Sequence, residues 1–352
     1  LCELFFFGAC VRACARGLVM AIGLSAPIVR VRGLPDVHAM LDYERCILPG
    51  VCGNKARKLA SLLSGPDVNS HIISHGGAQS NAMLALATLC HAQGRQFHYH
   101  TRPIPKWLRK SPIGNLRRAL ALGMELEEHA SLEQYESACS CAAREGGFVP
   151  QGAAWPGAEA GVRGLAVEID RWWSVQDPTK SPLSIVVPAG TGTTALFLAR
   201  HAPPSMTVFA VPCVGGERAL MQQMRKLDKA SGDVGKLPRL LSPPGRLAVP
   251  FATPSSEVLE AWRRAATDHG LLLDLLYGAI AWETLVDAHA TSNAPAMEGT
   301  SLYIHCGGHE GIHTSLRRYA RAGLLHRSES PDSMLEEMAA AACFNLDAAI
   351  FG

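Results

Sequence analysis

Apolar runs typical of strands alternate with helix-like segments along most of the chain. Strands are predicted at residues 71–74, 95–101, 124–126, 148–150, 183–187, 206–211 and 301–306. Helices are predicted at residues 55–64, 81–92, 115–122, 131–145, 158–173, 217–230, 257–269, 279–289 and 312–321, with another beginning at Thr194. This alternation predicts an α/β fold with parallel-type open sheets and helices on both faces.

Two stretches interrupt the pattern. Residues 231–256 are rich in proline and glycine and are predicted to form a long connection. Beyond about residue 330 an alanine-rich segment has helical character, but the pattern does not indicate its role. The sequence contains no internal repeat.

Composition limits the possible partners. The chain has 352 residues, of which 48% are hydrophobic and 18% charged, which is enough for two packed cores. Its 33 basic and 31 acidic residues give a net charge of +2, so no overall field attracts nucleic acid or an anionic membrane. No apolar run approaches the roughly 18 residues of a membrane-spanning helix. We therefore expect neither nucleic acid nor a membrane as a partner.

The cysteines favour a reducing environment. There are eleven, an odd number, with neither a CxxC pair nor the spacing of a zinc finger. Reduced cysteines in an intracellular compartment are therefore expected, rather than a disulfide framework or a zinc site.

Residues 1–19 differ from the rest of the chain. They contain Arg12 and Arg16 but a single acid, Glu3, and transit peptides are similarly rich in arginine and poor in acids. One interpretation is a fragment of such a peptide, which would place the protein in a mitochondrion or plastid. The other is an artefact of gene prediction that precedes a true start at Met20, with the protein in the cytoplasm.

Three glycine-containing turns each follow an apolar run and precede a predicted helix. They lie at residues 53–59, 75–81 and 189–194. In such a turn, backbone N–H groups and a helix N-terminus face an anion. Because turns of this kind gather beyond the carboxyl ends of parallel strands, three distant segments are expected to meet in one crevice.

The strongest candidate for binding a phosphate is the turn Gly190-Thr191-Gly192-Thr193-Thr194. Its glycines allow close approach of the backbone, and its threonines add hydroxyl donors. The turn also fits the loose dinucleotide fingerprint, which requires an acid at the end of the next strand. Residues 211–214 contain no acid, which counts against a dinucleotide. An ordinary turn between a strand and a helix stays possible.

Lys55 lies near the first glycine turn and precedes the turn at residues 75–81. An enzyme that holds an anionic aldehyde cofactor covalently needs an amine in such a place, which points to pyridoxal 5′-phosphate (PLP). Arg57 and Lys58 are expected to be structural and to lower the pKa of Lys55 by like-charge repulsion, with burial acting in the same direction. The alternative is a lysine that only solvates a surface.

Each remaining candidate also has a structural alternative. Ser80 and Asn81 either cap a helix or bind the substrate and the ring oxygen of the cofactor. Tyr277 is either a core residue with a hydrogen-bonded tip or a group beside the substrate. His305 and His309 have a spacing that indicates a metal only weakly, so no metal site is predicted.

Together, these segments resemble the fold-type-II PLP enzymes, and more narrowly the family of 1-aminocyclopropane-1-carboxylate (ACC) deaminase and D-cysteine desulfhydrase. The resemblance spans roughly residues 27–320 and depends on an ordered set of short segments. They are residues 53–55 with 57–59, 76–77 with 79–81, Gly152 with 161–168, 189–194, 214–216, Asp274 with Tyr277, and His305 with 307–308.

The resemblance implies a two-domain fold like that of tryptophan synthase β, with PLP in the cleft between the domains. The implied divisions are a presequence or artefact at 1–19, a large domain at 20–66 and 166–325, a small inserted domain at 67–165 and a tail at 326–352. Lys55 would hold the cofactor and move protons, the turn at 190–194 would bind its phosphate, and Asn81 would bind its ring hydroxyl. Ser80 and Tyr277 would lie near the substrate, and the protein would form a homodimer.

Two departures from the family pattern affect the expected reaction. Gly278 stands where the deaminase has a glutamate, and Cys306 stands where the last loop often has a threonine. The ring nitrogen of the cofactor thus loses its expected partner, unless Cys306 or water replaces it. We therefore expect β-elimination on a small amino acid. The resemblance implies D-cysteine as the substrate, giving pyruvate, ammonia and sulfide. The alternatives are ring opening of ACC to 2-oxobutanoate and ammonia, and a PLP-binding protein of low activity.

Overall fold

The computed structural model describes residues 25–63, 71–232, 235–291 and 297–346. The predictions about residues 1–19 and Met20, and the domain boundary between residues 66 and 67, lie outside the described residues. Within the described ranges, no helix is long and apolar enough to cross a membrane.

Strands and helices alternate along the described residues. The strands are β1 (Ile28–Arg30), β2 (Val37–Met40), β3 (Cys46–Leu48), β4 (Val51–Cys52), β5 (His71–His75), β6 (Gln96–Thr101), β7 (Met124–Glu128), β8 (Phe148–Val149), β9 (Leu183–Ala189), β10 (Met206–Pro212), β11 (Arg239–Leu240) and β12 (Thr300–Ile304). The α-helices are α1 (Gly53–Leu59), α2 (Asn81–Gln93), α3 (Lys106–Lys110), α4 (Gly114–Ala121), α5 (Leu132–Ala142), α6 (Glu159–Gln176), α7 (Thr193–His201), α8 (Gly216–Ala230), α9 (Ser256–Thr267), α10 (Gly278–Ala290), α11 (Ile312–Arg321) and α12 (Pro331–Ala341). Each predicted strand and helix is present, with ends that differ by a few residues.

Among the described residues, six strands form the larger sheet, in the order β1-β2-β12-β9-β10-β11. All neighbouring pairs are parallel except β1 and β2. Val186 and Phe209 pack into a hydrophobic cluster on one face, and Ile185 and Val208 into a second cluster on the other. Helices therefore cover both faces, which explains why β9 and β10 are almost continuously apolar.

Four of the described strands form the smaller sheet, in the order β7-β6-β5-β8, and all of its pairs are parallel. Phe97 and Tyr99 of β6 face a hydrophobic cluster that includes side chains of α2 and α4. Because side chains alternate along a strand, His98 and His100 point to the opposite face. Helix α5 contacts β5 and β6. The division into domains stays a prediction.

Several short elements were not predicted. Strands β1 to β4 precede the first predicted strand, and β11 lies within the predicted connection at 231–256, where it pairs with β10. The antiparallel pairing of β3 and β4 places Cys46 opposite Cys52, and the two form a disulfide. The expectation of reduced cysteines is therefore wrong for this pair, because strand pairing brings together two residues whose spacing matches no cysteine motif.

A buried arginine fixes helix α1 in place. Arg57 donates to Asp42 Oδ1 at 2.8 Å through Nε, and to both carboxylate oxygens of Glu168 at 3.0 and 2.8 Å. Arg57 and Asp42 are almost completely buried. Gly161 of α6 lies so close that a Cβ there would be 2.0 Å from the Arg57 carbonyl oxygen. Removing one partner of such a buried pair typically costs about 3–5 kcal/mol.

The alanine-rich tail forms helix α12. Ser330 caps its first turn by accepting a hydrogen bond from the Ser333 N–H at 3.0 Å. Met334, Leu335 and Met338 are buried in one of the clusters on the larger sheet. This part of the tail therefore belongs to the hydrophobic core.

Candidate active site

A cavity of about 1120 Å³ is lined by residues that follow strands of both sheets. They come from the start of α1, from the turns after β5, β9 and β12, and from the segment before α10. The structure brings every predicted site residue to this cavity, namely Lys55, Ser80, Asn81, Gly190, Thr191, Gly192, Thr193, Thr194, Tyr277 and Cys306. Their chemical roles stay a prediction.

Lys55 lies in the first turn of α1, where its Nζ donates to Asn54 Oδ1 at 2.8 Å. Burial is the main cause that lowers the pKa of Lys55. The direction was predicted, but like-charge repulsion is not the main cause, and the Arg57 side chain is paired with Asp42 and Glu168. A lysine with a lowered pKa is more readily the neutral amine that attacks a carbonyl.

Lys58 adds a second amine that the sequence analysis treated as structural. It is buried, and its Nζ donates to the carbonyl oxygen of Gly152 at 3.1 Å. Burial, helped by the charge of Lys55, lowers its pKa to about 7. A Cβ at Gly152 would lie 3.0 Å from Thr191 Cγ2, so this amine lies near the threonine-rich turn. The spacing of three residues from Lys55 was a usable signal, because residues i and i+3 share one side of a helix.

The turn at residues 190–194 joins β9 to α7 and has unused donors. Gly192 adopts φ +72° just before α7, and no described side chain caps the first turn of that helix. The hydroxyl oxygens of Thr191 and Thr193 lie 2.8 Å apart. Thr194 Oγ1 is buried without a hydrogen-bond partner among the described residues. Free N–H groups and a free hydroxyl at a helix N-terminus are suited to an anion such as phosphate.

Ser80 and Asn81 lie at the start of α2. Ser80 Oγ accepts a hydrogen bond from the Met83 N–H at 3.3 Å, so its capping alternative is realised even though it also lines the cavity. Asn81 Oδ1 accepts from Asn115 Nδ2 at 2.7 Å. A Cβ at Gly308 would lie 3.3 Å from Asn81 Nδ2, which places this amide beside the turn after β12.

Asp274 and Tyr277 form the far end of the cavity lining, before α10. Asp274 accepts three backbone N–H groups, from Leu276, Tyr277 and Gly278, at 2.8 to 2.9 Å. Burial nevertheless raises the pKa of Asp274 and of Tyr277. A Cβ at Gly190 would lie 3.0 Å from Tyr277 Cε1, so the absence of a side chain there lets the tyrosine ring lie against the threonine-rich turn.

Cys306 follows β12 and contacts the start of α1 through its backbone. Its carbonyl oxygen accepts from the Asn54 N–H at 3.4 Å. Burial raises the pKa of the Cys306 thiol to about 12, so the thiol is neutral near pH 7. His305 and His309 each place Nε2 within 2.9 Å of the Leu272 carbonyl oxygen, and burial lowers their pKa values to about 4 and about 3. Both histidines are therefore neutral donors to the backbone.

The C-terminal segment also reaches the cavity, which no sequence signal indicated. Phe344 lines it together with Cys343 and Asn345. The Phe344 ring lies 4.4 Å from the His309 ring and 5.6 Å from the Tyr43 ring, measured between centroids. Phe344 packs against the same hydrophobic cluster as the buried side chains of α12.

Comparisons with known proteins define the fold. No protein-family model and no curated protein sequence matches the chain. Solved structures do match it, including one described as an ACC deaminase homologue. That structure has a TM-score of 0.67 and 21% identity, over 88% of this chain and 99% of the other.

Two further structures are similar over most of their length. A hydrogen sulfide-producing enzyme from Fusobacterium nucleatum matches with a TM-score of 0.57 and 13% identity, over 83% of this chain and 96% of the other. Maize serine racemase matches with a TM-score of 0.55 and 14% identity, over 88% of this chain and 97% of the other. At identities this low, the matches establish the fold alone. They confirm the predicted fold-type-II architecture.

Proposed function

We propose that the chain is a PLP-dependent enzyme that acts on a small amino acid. The observation that carries this proposal is that an amine with a lowered pKa, Lys55, and the uncapped threonine-rich turn at 190–194 line the same cavity. PLP needs both features, because its aldehyde reacts with an amine and its phosphate needs an anion site.

The residues present fit this cofactor. The Thr194 hydroxyl, which has no partner in the described ranges, and the N–H groups at the start of α7 would hold the phosphate, with Lys58 supplying positive charge. Lys55 would hold the aldehyde covalently, and Asn81 would donate to the ring hydroxyl. When bound, PLP accepts the electrons released as a bond to the substrate α-carbon breaks.

Lys55 and the side chains around it would move the proton, orient the substrate and contact the ring nitrogen. The Lys55 amine would be the base that removes the proton from the substrate α-carbon. Tyr277 lies against the threonine-rich turn and would orient the substrate. Cys306, as a neutral thiol, would offer the ring nitrogen only a weak hydrogen bond.

Within this class we propose β-elimination, with D-cysteine as substrate. One D-cysteine and one water would give one pyruvate, one ammonia and one hydrogen sulfide. A Cβ at Gly278 would lie 2.9 Å from Asp274 Oδ2, so no acid can occupy that position unless Asp274 moves. The likeness to a hydrogen sulfide-producing enzyme supports the same choice.

Ring opening of ACC is the second candidate. The likeness to an ACC deaminase homologue favours it, since that match has both higher identity and a higher TM-score than the sulfide-producing enzyme. A binding protein of low activity is the third candidate, supported by the weak donor at Cys306.

The covalent role of Lys55 can be tested by spectroscopy. Protein purified with PLP is expected to show the visible absorption band of a lysine-bound cofactor, and Lys55→Ala should abolish it because the amine is gone. Lys110→Ala, which alters an exposed lysine on α3, serves as the control and should keep the band. A band that persists in Lys55→Ala would assign the linkage to another amine.

The role of Lys58 can be tested by comparing PLP with pyridoxal, which lacks the phosphate. Lys58→Met is expected to weaken PLP binding by about tenfold or more, as for loss of a charge-assisted hydrogen bond, while pyridoxal binding changes little. Equal losses for the two ligands would contradict a phosphate contact.

Binding of PLP and of pyridoxal can also be compared as a function of pH, to test the charge of Lys58. The pKa of about 7 means that Lys58 carries its charge below pH 7 and loses it above. The ratio of PLP affinity to pyridoxal affinity should therefore fall as pH rises above 7, by up to about tenfold per unit, and should be flat in Lys58→Met. A flat ratio in the unaltered protein would exclude the contact. Both aldehydes would react with Lys55, so the titration of Lys55 affects both affinities equally and cancels in their ratio.

Substrate assays separate the candidate reactions. With D-cysteine we expect sulfide and pyruvate in equal amounts, with kcat/KM roughly tenfold or more above that for ACC. L-cysteine tests the stereochemistry. If 2-oxobutanoate forms from ACC faster than sulfide forms from D-cysteine, the result would contradict β-elimination and support ring opening. If the cofactor is bound to a lysine but no amino acid is turned over, the result would support a PLP-binding protein of low activity.

A further inference from the structure

A second cluster of polar side chains lies on the smaller sheet. His98 and His100 occupy the face of β6 opposite the hydrophobic cluster, and Glu127 of β7 is the register partner of His100. His129 follows β7, and its N–H donates to the Thr101 carbonyl oxygen, so the segment stays beside β6. These four residues are separate from the described residues that line the cavity.

The potential ligand atoms of this cluster converge. His98 Nε2 lies 2.9 Å from Glu127 Oε2, and His100 Nδ1 lies 3.3 Å from the same oxygen. His129 Nε2 lies 3.0 Å from His100 Nδ1 and 3.7 Å from Glu127 Oε1. Ligand atoms around a tetrahedral zinc ion, with bonds of about 2.0–2.2 Å, are about 3.3–3.6 Å apart. The ligand atoms of His98, His100 and Glu127 all lie within 4.8 Å of one another and need little change to surround an ion, whereas His129, which is near His100 and Glu127, would move inward to complete the set.

The arrangement of the imidazole rings is compatible with a metal ion as well as with a chain of hydrogen bonds. His100 and His129 point ring nitrogens at each other, and without an ion one of the two must be a donor to the other. An ion would accept a lone pair from both. The second ring nitrogen of His98, Nδ1, lies 3.7 Å from Glu125 Oε2, and a carboxylate behind a metal-bound imidazole fixes its orientation.

An ion could also reach this place from solvent. The side chains of His100 and His129 are each 10% exposed, whereas Glu127 is 49% exposed. The cluster is thus closed on the side of the sheet and open on the side of Glu127.

We propose that His98, His100, His129 and Glu127 bind a divalent transition-metal ion, and that the ion is Zn²⁺. Three imidazoles and one carboxylate are ligands that zinc accepts, and four protein ligands leave no position for a substrate. The ion would link β6 to β7 and the segment after it, which is a structural role. This site is independent of the proposed PLP chemistry. It differs from the expectation of no metal, which was based on the cysteine spacing and on His305 and His309.

Zinc binding by the full chain tests the proposal. Protein freed of metal with a chelator is titrated with Zn²⁺ in competition with a chromophoric chelator. We expect one tightly held ion per chain and a higher midpoint of thermal unfolding when Zn²⁺ is present. The double variant His98→Gln with Glu127→Gln should lose both effects. His91→Gln, which alters an exposed histidine on α2, should keep both.

Three results would overturn the site. They are no bound ion in the unaltered chain, equally tight binding in the double variant, and binding that is lost only when the cysteines are alkylated. Thermal unfolding without Zn²⁺ shows whether the double variant folds. If it does not, Glu127→Gln alone takes its place, since that side chain is half exposed. Replacing zinc with Co²⁺ should give the intense visible bands of a tetrahedral site, and weak octahedral bands would contradict the four-ligand set.

Discussion

Helix α1 contacts two neighbouring backbone segments so closely that only glycine fits at either contact. A Cβ at Gly53 would lie 2.3 Å from the Cys306 carbonyl oxygen, and one at Gly161 would lie 2.0 Å from the Arg57 carbonyl oxygen. The buried contacts of Arg57 with Asp42 and Glu168 hold the helix in the same position. These constraints set both the place and the burial of Lys55, and the lowered pKa of its amine follows from that burial.

The cavity combines this amine with a turn whose donors suit an anion. Among the described residues, Thr194 Oγ1 has no hydrogen-bond partner and no side chain caps the start of α7. Lys58 is buried near this turn, and burial lowers the pKa of its amine. The phosphate of an anionic aldehyde would accept hydrogen bonds from these donors. It would also favour the protonated form of Lys58. The fold alone does not determine the reaction, because one fold carries many activities. The choice of elimination therefore depends on Gly278 and Cys306.

The sequence predicted the parts of the molecule that local patterns determine. The apolar run of β9 and the glycines of the turn at 190–194 identified a strand, a turn and a helix in the right order. It did not reveal features that depend on the pairing of distant segments. The disulfide between Cys46 and Cys52 needs the pairing of β3 with β4, and the histidine cluster needs the register of β6 with β7. Strand β11 was missed because the prolines around it favour a connection.

In the proposed enzyme the nitrogen of Lys55 is bonded to PLP, and chemical mapping can locate that bond. Borohydride reduction of the cofactor-loaded protein fixes the bond, and digestion followed by mass spectrometry identifies the modified residue. We expect one phosphopyridoxyl group per chain, located on Lys55. Modification of a different lysine, or no modification after reduction, would contradict it.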